Sequence, residues 1–285
     1  MTTLILHSAN LDPTLPCGSL IALEESLKAN ITYIEVDLIP LKNGDFALLH
    51  DPQLEHTTNA KGSVSDFTAQ EVKVISYKNS PFKLGTLSQA VQLLENYPVS
   101  GFLQLDLKPY APLTPAILQN LVNLIKPVED SILVSSVADW AIRLLKKLAP
   151  NLKLGFDPLL YLDLVGKETR EEGVPPFRVG AFGYLDDHPL AAQCWGPLKD
   201  YFEARAEALL QQVPTDVTWF INAQLLDEAM QAGFNWIQNL QNQGNSVDAW
   251  TLDMGRSALA MRMKQAGVNF ITTNQLVELD KILMK

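Results

Sequence analysis

The chain has 285 residues, of which 47% are hydrophobic and 19% charged, a mix that builds a sizeable core and excludes an extended disordered polymer. Its formal net charge is −10, so the average field repels duplex nucleic acid and anionic bilayers, both of which need clustered Lys and Arg. Two cysteines, Cys17 and Cys194, make neither a disulfide framework nor a zinc site.

Met1–Asn10 carries neither a basic n-region nor a long apolar h-region, and no run of about 18 apolar residues occurs anywhere. These features predict a cytoplasmic, reduced chain without stable membrane insertion. They leave a small molecule, not a nucleic acid, as the expected partner, and they say nothing of oligomeric state.

Candidate strands, in chain order, are Thr3–His7, Tyr33–Leu38, Phe46–His50, Gly101–Leu107, Ser131–Ser135, Lys153–Phe156, Val217–Ile221, Val247–Leu252 and Val268–Thr272. Several are near-continuous apolar runs that end in a polar residue, the pattern of parallel strands buried on both faces. Between them lie amphipathic segments: Leu20–Ala29, Leu87–Asn96, Pro115–Ile125, Trp140–Leu148, Leu225–Asn239 and Arg256–Ala266. The alternation predicts an α/β fold, a TIM (β/α)8 barrel forming a single domain over residues 1–285. Nine strands are one too many for eight places. The second and third are joined by Lys42-Asn43-Gly44, a turn with no room for a helix, which breaks the plain alternation. Two inserted segments follow, Asp51–Gly85 after the third strand and roughly 157–215, the latter with a helical run at Leu198–Gln212. Connections this long in a barrel are expected to act as lids or specificity elements.

Polar residues gather at the ends of the early strands. His7 ends the first; Glu35 and Asp37 alternate along the second, so both carboxylates share a face. His50, followed by Asp51, ends the third, and Asp106 and Lys108 repeat the alternation on the fourth. Barrel active sites form at the C-terminal ends of strands. Three carboxylates converging there repel one another unless a divalent cation sits among them, and an all-oxygen set favours Mg²⁺ or Ca²⁺ over zinc. Two histidines beside such a cation suit general acid and base roles, and Lys108 supplies positive charge for a phosphate. Each residue also has a structural reading: a hydrogen-bonded strand-end His, an edge-strand Glu-x-Asp, an Asp106–Lys108 ion pair.

At these residues the sequence resembles the glycerophosphodiester phosphodiesterase family, itself similar to the barrel phospholipases C that cleave phosphatidylinositol. The resemblance is carried by Tyr33-Ile-Glu-Val-Asp-Leu, Leu41-Lys-Asn-Gly-Asp and Ala47-Leu-Leu-His-Asp-Pro. It continues through Leu54-Glu-His-Thr-Thr-Asn-Ala-Lys-Gly-Ser-Val, Leu105-Asp-Leu-Lys, Ala249-Trp-Thr-Leu and Gly267-Val-Asn-Phe-Ile-Thr-Thr-Asn, covering most of the chain outside 157–215. It implies a metal-dependent phosphoric diester hydrolase acting in lipid and glycerol metabolism. Glu35, Asp37 and Asp106 would hold the metal, and His7 and His50 would act as general acid and base. Lys108 would contact the phosphate, and Trp250 would pack on the glycerol or its substituent, or else fill the barrel.

The departures are local. His7-Ser8-Ala9 stands where the family has His-Arg-Gly, Cys17-Gly18-Ser19 where it has Glu-Asn-Thr, Asp106 where it has Glu, and Asn274 where it has Asp. Without that Arg a bidentate phosphate contact is lost that Lys cannot copy. Two further readings therefore stand beside glycerophosphodiester hydrolysis: cleavage of lysophospholipid or sphingolipid head groups, and a weakly active or non-catalytic phosphodiester-binding barrel. Cys17, close to the same mouth, is expected to be an ordinary buried thiol.

Overall fold

The computed structural model describes residues 2–162 and 196–284. Most of the second insertion lies outside them, as does Cys194.

The strands are β1 (Thr3–Leu6), β2 (Tyr33–Pro40), β3 (Phe46–Leu48), β4 (Phe102–Leu107), β5 (Ile132–Ser136), β6 (Lys153–Phe156), β7 (Thr218–Asn222), β8 (Ser246–Trp250) and β9 (Phe270–Thr273). All but β3 pair in parallel in the order β1-β9-β8-β7-β6-β5-β4-β2, and β2 closes the ring on β1 through Leu6 and Ile34. This is a TIM barrel. Period-2 alternation sorts its side chains. Ile34, Val36, Leu103, Leu105, Val134, Trp219, Ile221 and Ala249 point outward into one large core beneath the helices. Ile5, Tyr33, Phe102, Leu133, Phe220, Trp250 and Phe270 form a second, interior cluster. The room for Phe220 comes from Gly155, where an added Cβ would lie 2.4 Å from that ring.

The ninth strand is the accessory one. Beyond the level where β1 ends, β2 runs on and pairs antiparallel with β3, Leu38 opposite Leu48 and Pro40 opposite Phe46. The turn between them uses Gly44 at φ 86°, a conformation open to glycine at no steric cost. Because β3 runs back toward the barrel, the residues after it descend to the rim: Leu49 donates its N–H to Asp37 O at 3.2 Å.

The outer helices are α1 (Leu20–Lys28), α4 (Leu87–Asn96), α5 (Pro115–Ile125), α6 (Asp139–Leu148), α7 (Leu198–Leu210), α8 (Ala223–Gln231), α9 (Trp236–Asn242), α10 (Ser257–Ala266) and α11 (Leu276–Leu283). Their starts are capped by the residues that favour caps. Ser19 accepts from Ala22 N, Thr114 precedes Pro115 at the first helical position, and Thr86 with Gln89 forms a capping box. One expected helix, Leu225–Asn239, is two: Gly233 takes φ 92° and ends α8, and Asn235 then caps α9 by accepting from Gln238 N. The α11 helix was not anticipated, although Leu276, Leu279 and Leu283 recur at helical spacing.

The Asp51–Gly85 insertion contains two short helices, α2 (Leu54–Thr57) and α3 (Ala69–Val72), and isolated bridges such as Thr58–Tyr77. It has its own small core, in which Leu54, Val64, Val72, Ile75 and Tyr77 pack with Ile39 of β2 and Ala47 of β3. The insertion is thus anchored on the hairpin that carries Asp37 and His50.

Candidate active site

The candidate site occupies the C-terminal mouth of the barrel, on β1, β2 and β4. Glu35 and Asp37 point inward from β2, each 3% exposed, and Asp106 stands beside Asp37 on β4. One carboxylate oxygen from each of the three lies within 4.8 Å of the others. Lys108, one step beyond β4, places Nζ 2.9 Å from Asp37 Oδ1 and 2.7 Å from Asp106 Oδ2. The structural and functional readings of this lysine are therefore both drawn from one position: it is a half-buried ion-pair partner inside the cluster.

The cluster carries more negative charge than one lysine balances. Burial, with the charges of Asp37 and Asp106 adding to it, pushes the Glu35 carboxyl well above its usual range against the opposing pull of Lys108 and Ser8 N–H. Burial acts in the same sense on Asp37, but Lys108, His50 and His7 outweigh it and hold that carboxyl below its ordinary value. Lys108 is itself held well above its usual value, its burial overcome by Asp106 and Asp37. Oxygen donors converging with surplus negative charge fit a hard divalent cation.

Supporting contacts fix each carboxylate. Ser8 donates its backbone N–H to Glu35 Oε2 at 2.7 Å. It does so from a turn in which Ser8 and Ala9 both take left-handed φ, 49° and 48°, in a stretch where Gly18 N–H donates to Ser8 O at 2.7 Å. The left-handed conformation is costly for residues with a Cβ, by roughly 1 kcal/mol or more each. Ser135 of β5 donates to Asp106 Oδ1 at 2.8 Å and accepts from Gln104 Nε2 at 3.0 Å.

The two histidines stand on the rim. His7, directly after β1, has Nε2 3.8 Å from Glu35 Oε2 and Nδ1 2.8 Å from Asn274 Oδ1. His50, two residues past β3 and not on a barrel strand, has Nδ1 3.3 Å from Asp51 Oδ1 and lowers the pKa of Asp37 by its proximity. Trp250 ends β8, packed on the interior cluster with its indole N–H without a hydrogen-bond partner among the described residues. Cys17 is exposed, contrary to expectation, because the loop between β1 and α1 carries it outward; partial desolvation raises its thiol pKa, so it is no activated nucleophile.

Sequence reasoning missed several supporting residues. Gln104 and Ser135 are inward-facing polar residues on strands, a signal that period-2 alternation could have given. The role of Ser8 is played by its backbone, which side-chain identity does not report. Asp253, in the loop after β8, binds Asn274 through both oxygens, and nothing local in the sequence links them.

A barrel whose C-terminal mouth gathers three carboxylates, a lysine and two rim imidazoles has the make-up of a hydrolase of phosphoric esters. The chain belongs, specifically, to the glycerophosphoryl diester phosphodiesterase family, whose model matches residues 14–157, and it is a phosphoric diester hydrolase. The matched span includes Glu35, Asp37, His50, Asp106 and Lys108; His7 and Trp250 lie outside it. A glycerophosphodiester phosphodiesterase of Caldanaerobacter subterraneus subsp. tengcongensis is 29% identical over 170 residues, 56% of this chain and 68% of the relative. One of Bacillus altitudinis is 29% identical over 177 residues, 58% of this chain and 72% of the relative. Among solved structures, an Oleispira antarctica phosphodiesterase in complex with its product sn-glycerol-3-phosphate has a TM-score of 0.72 at 17% identity, covering 100% of this chain and 98% of its own. A Thermotoga maritima glycerophosphodiester phosphodiesterase has a TM-score of 0.66 at 15% identity, covering 99% and 98%. At such identities these two likenesses speak for the fold.

Proposed function

We propose that the chain hydrolyses small glycerophosphodiesters to a glycerol phosphate and an alcohol, assisted by a divalent cation. The observation that carries this reading is the convergence of Glu35, Asp37 and Asp106 within 4.8 Å at the barrel mouth. The product held by the Oleispira antarctica relative supports a glycerol-bearing substrate.

Glu35, Asp37 and Asp106 would hold the cation, Mg²⁺ or Ca²⁺ in preference to Zn²⁺, and its chemistry when bound is to polarise a phosphoryl oxygen and acidify a nearby hydroxyl. The chain's own groups do the rest. One histidine of the pair His7 and His50 removes a proton from the attacking water or substrate hydroxyl. The other gives a proton to the leaving alkoxide as its bond to phosphorus breaks. Lys108 contributes positive charge beside the phosphate, which Ser8, in place of the family's Arg, does not. Trp250 offers an apolar face for the glycerol or its substituent.

No described helix is long and apolar enough to cross a membrane. That suits a small substrate met in water, and we place the reaction in the cytoplasm.

The test is hydrolysis of glycerophosphocholine, glycerophosphoethanolamine and bis(p-nitrophenyl) phosphate, each with EDTA, Mg²⁺, Ca²⁺ or Mn²⁺. Turnover that depends on the added metal supports the reading. Binding without turnover under every metal would leave a non-catalytic phosphodiester-binding barrel. Preferential release of head groups from lysophospholipid would move the substrate to lipids.

A further inference from the structure

We infer that Asp253 and Asn274 act together as positioning residues that fix the tautomer of His7 and present its Nε2 to the site as a proton acceptor. This rests on the reading of His7 as one of the acid/base pair, and it assigns His7 the base role in the first proton transfer.

The argument runs from donors and acceptors. An Asn side chain can ordinarily face either way, its oxygen and nitrogen being nearly alike in shape. Here the choice is forced. Asp253 Oδ2 lies 3.0 Å from Asn274 Nδ2, and an ionised carboxylate only accepts, so the atom facing it is the amide NH₂. Asp253 Oδ1 also accepts the backbone N–H of Asn274 at 2.8 Å and the Thr273 hydroxyl at 3.1 Å, which pins the carboxylate from its other side. Asn274 Oδ1 is then turned to His7 Nδ1 at 2.8 Å. An amide oxygen cannot donate, so Nδ1 carries the hydrogen. In the neutral ring Nε2 is left with its lone pair, on the side of Glu35.

The surroundings hold this arrangement rigidly. Leu252 donates its N–H to Thr272 O at 2.9 Å, and Met254 donates to Gln275 Oε1 at 2.8 Å. The loop after β8 is thereby laced to the end of β9 on both sides of Asp253. A neutral amide next to His7 fixes its orientation without adding another negative charge to a cluster that already has a surplus. Asn274, which replaces the Asp that the family resemblance would put there, then functions as an acceptor only because Asp253 orients it.

The test combines ¹⁵N NMR of the His7 ring nitrogens, at a pH where the imidazole is neutral, with kcat and KM on glycerophosphocholine. The unmodified protein is expected to show the Nδ1–H form. Asp253→Asn frees the Asn274 amide to turn, so the Nε2–H form should appear and kcat should fall at least about tenfold with KM little changed, as when a partner that orients a metal-bound histidine is removed. Asn274→Ala should do the same. The exchanged pair, Asp253→Asn with Asn274→Asp, restores an acceptor to His7 and a donor to its partner, and should recover the Nδ1–H signature and most of kcat. That recovery separates orientation from loss of folding. Retention of the Nδ1–H form and of kcat in Asp253→Asn, beside an inactive His7→Ala, overturns the positioning role alone. A fully active His7→Ala overturns the catalytic reading of His7 and this role with it.

Discussion

Lys108 holds its Nζ 2.9 Å from Asp37 Oδ1, and the same ammonium is shared with Asp106 at 2.7 Å. The cation expected to meet the substrate's phosphate is therefore the one that pairs with both Asp37 and Asp106 and, against burial, helps hold the Asp37 carboxyl below its ordinary value. Glu35, left outside that pairing, is pushed well above its usual range by burial and by its two acidic neighbours. One ammonium thus faces three carboxyl groups, two of which it touches directly.

Removing Lys108 takes away that ammonium. Lys108→Met should destabilise the protein by about 3 kcal/mol at neutral pH, because breaking a buried pair leaves an uncompensated charge. The urea midpoint measures it. Millimolar Mg²⁺ or Ca²⁺ should restore part of the loss in the variant, and none in Lys108→Met combined with Glu35→Gln and Asp37→Asn. A midpoint unmoved by Lys108→Met would show that the lysine is not what holds the carboxylates.

The barrel was legible because its strands are buried on both faces, and such runs declare themselves in sequence. Glu35 and Asp37 were legible for a related reason: alternation on β2 puts two carboxylates on one face wherever the barrel lies. The position of His50 was less so. It follows an antiparallel return strand, and only the pairing of Leu38 with Leu48 brings it back to the level of Asp37. Asp253 was not legible at all, since its partner Asn274 is 21 residues away and the link exists only through the adjacency of β8 and β9. The Leu225–Asn239 segment was misread because Gly233 lies within an otherwise helical pattern, and only its φ of 92° marks the break.

His7 and His50 should be separable from the rest of the mouth by rate alone. His7→Ala and His50→Ala should each lower kcat about 10²–10⁴-fold, the range for loss of a general acid or base. Both side chains are more than a third exposed, so neither substitution should shift the melting temperature appreciably. Full turnover in both variants would remove the pair from the mechanism.

Gly155 tests the packing inside the barrel. A Cβ there would lie 2.4 Å from the Phe220 ring and 3.0 Å from Ser135 Cβ. Gly155→Ala should cost about 1–3 kcal/mol, as overpacked cores do. Because Ser135 donates to Asp106, the displacement should also weaken stabilisation of the protein by added divalent cation. Unchanged stability would mean that the interior yields more easily than its contacts imply.

Asp248 gives a pH dependence whose sign can be worked out. It is fully buried inside the barrel, where burial pushes its carboxyl up to about 8 against the opposing hydrogen bond from Thr272 Oγ1 at 3.0 Å. The unfolded chain has this group near 3.8. Below that value both states hold the proton and Asp248 adds no penalty. Between there and about pH 8 the folded state still holds a proton that the unfolded state has released. Folding stability therefore falls as pH rises, by about 1.4 kcal/mol per unit from this group, and levels off above its folded value. Asp248→Asn keeps the shape and an acceptor for Thr272 but cannot ionise. Its stability relative to the unmodified protein should therefore rise steadily from pH 4 to pH 8 in urea unfolding followed across that range. Parallel pH profiles for the two proteins would show that Asp248 is ionised in the folded barrel at neutral pH.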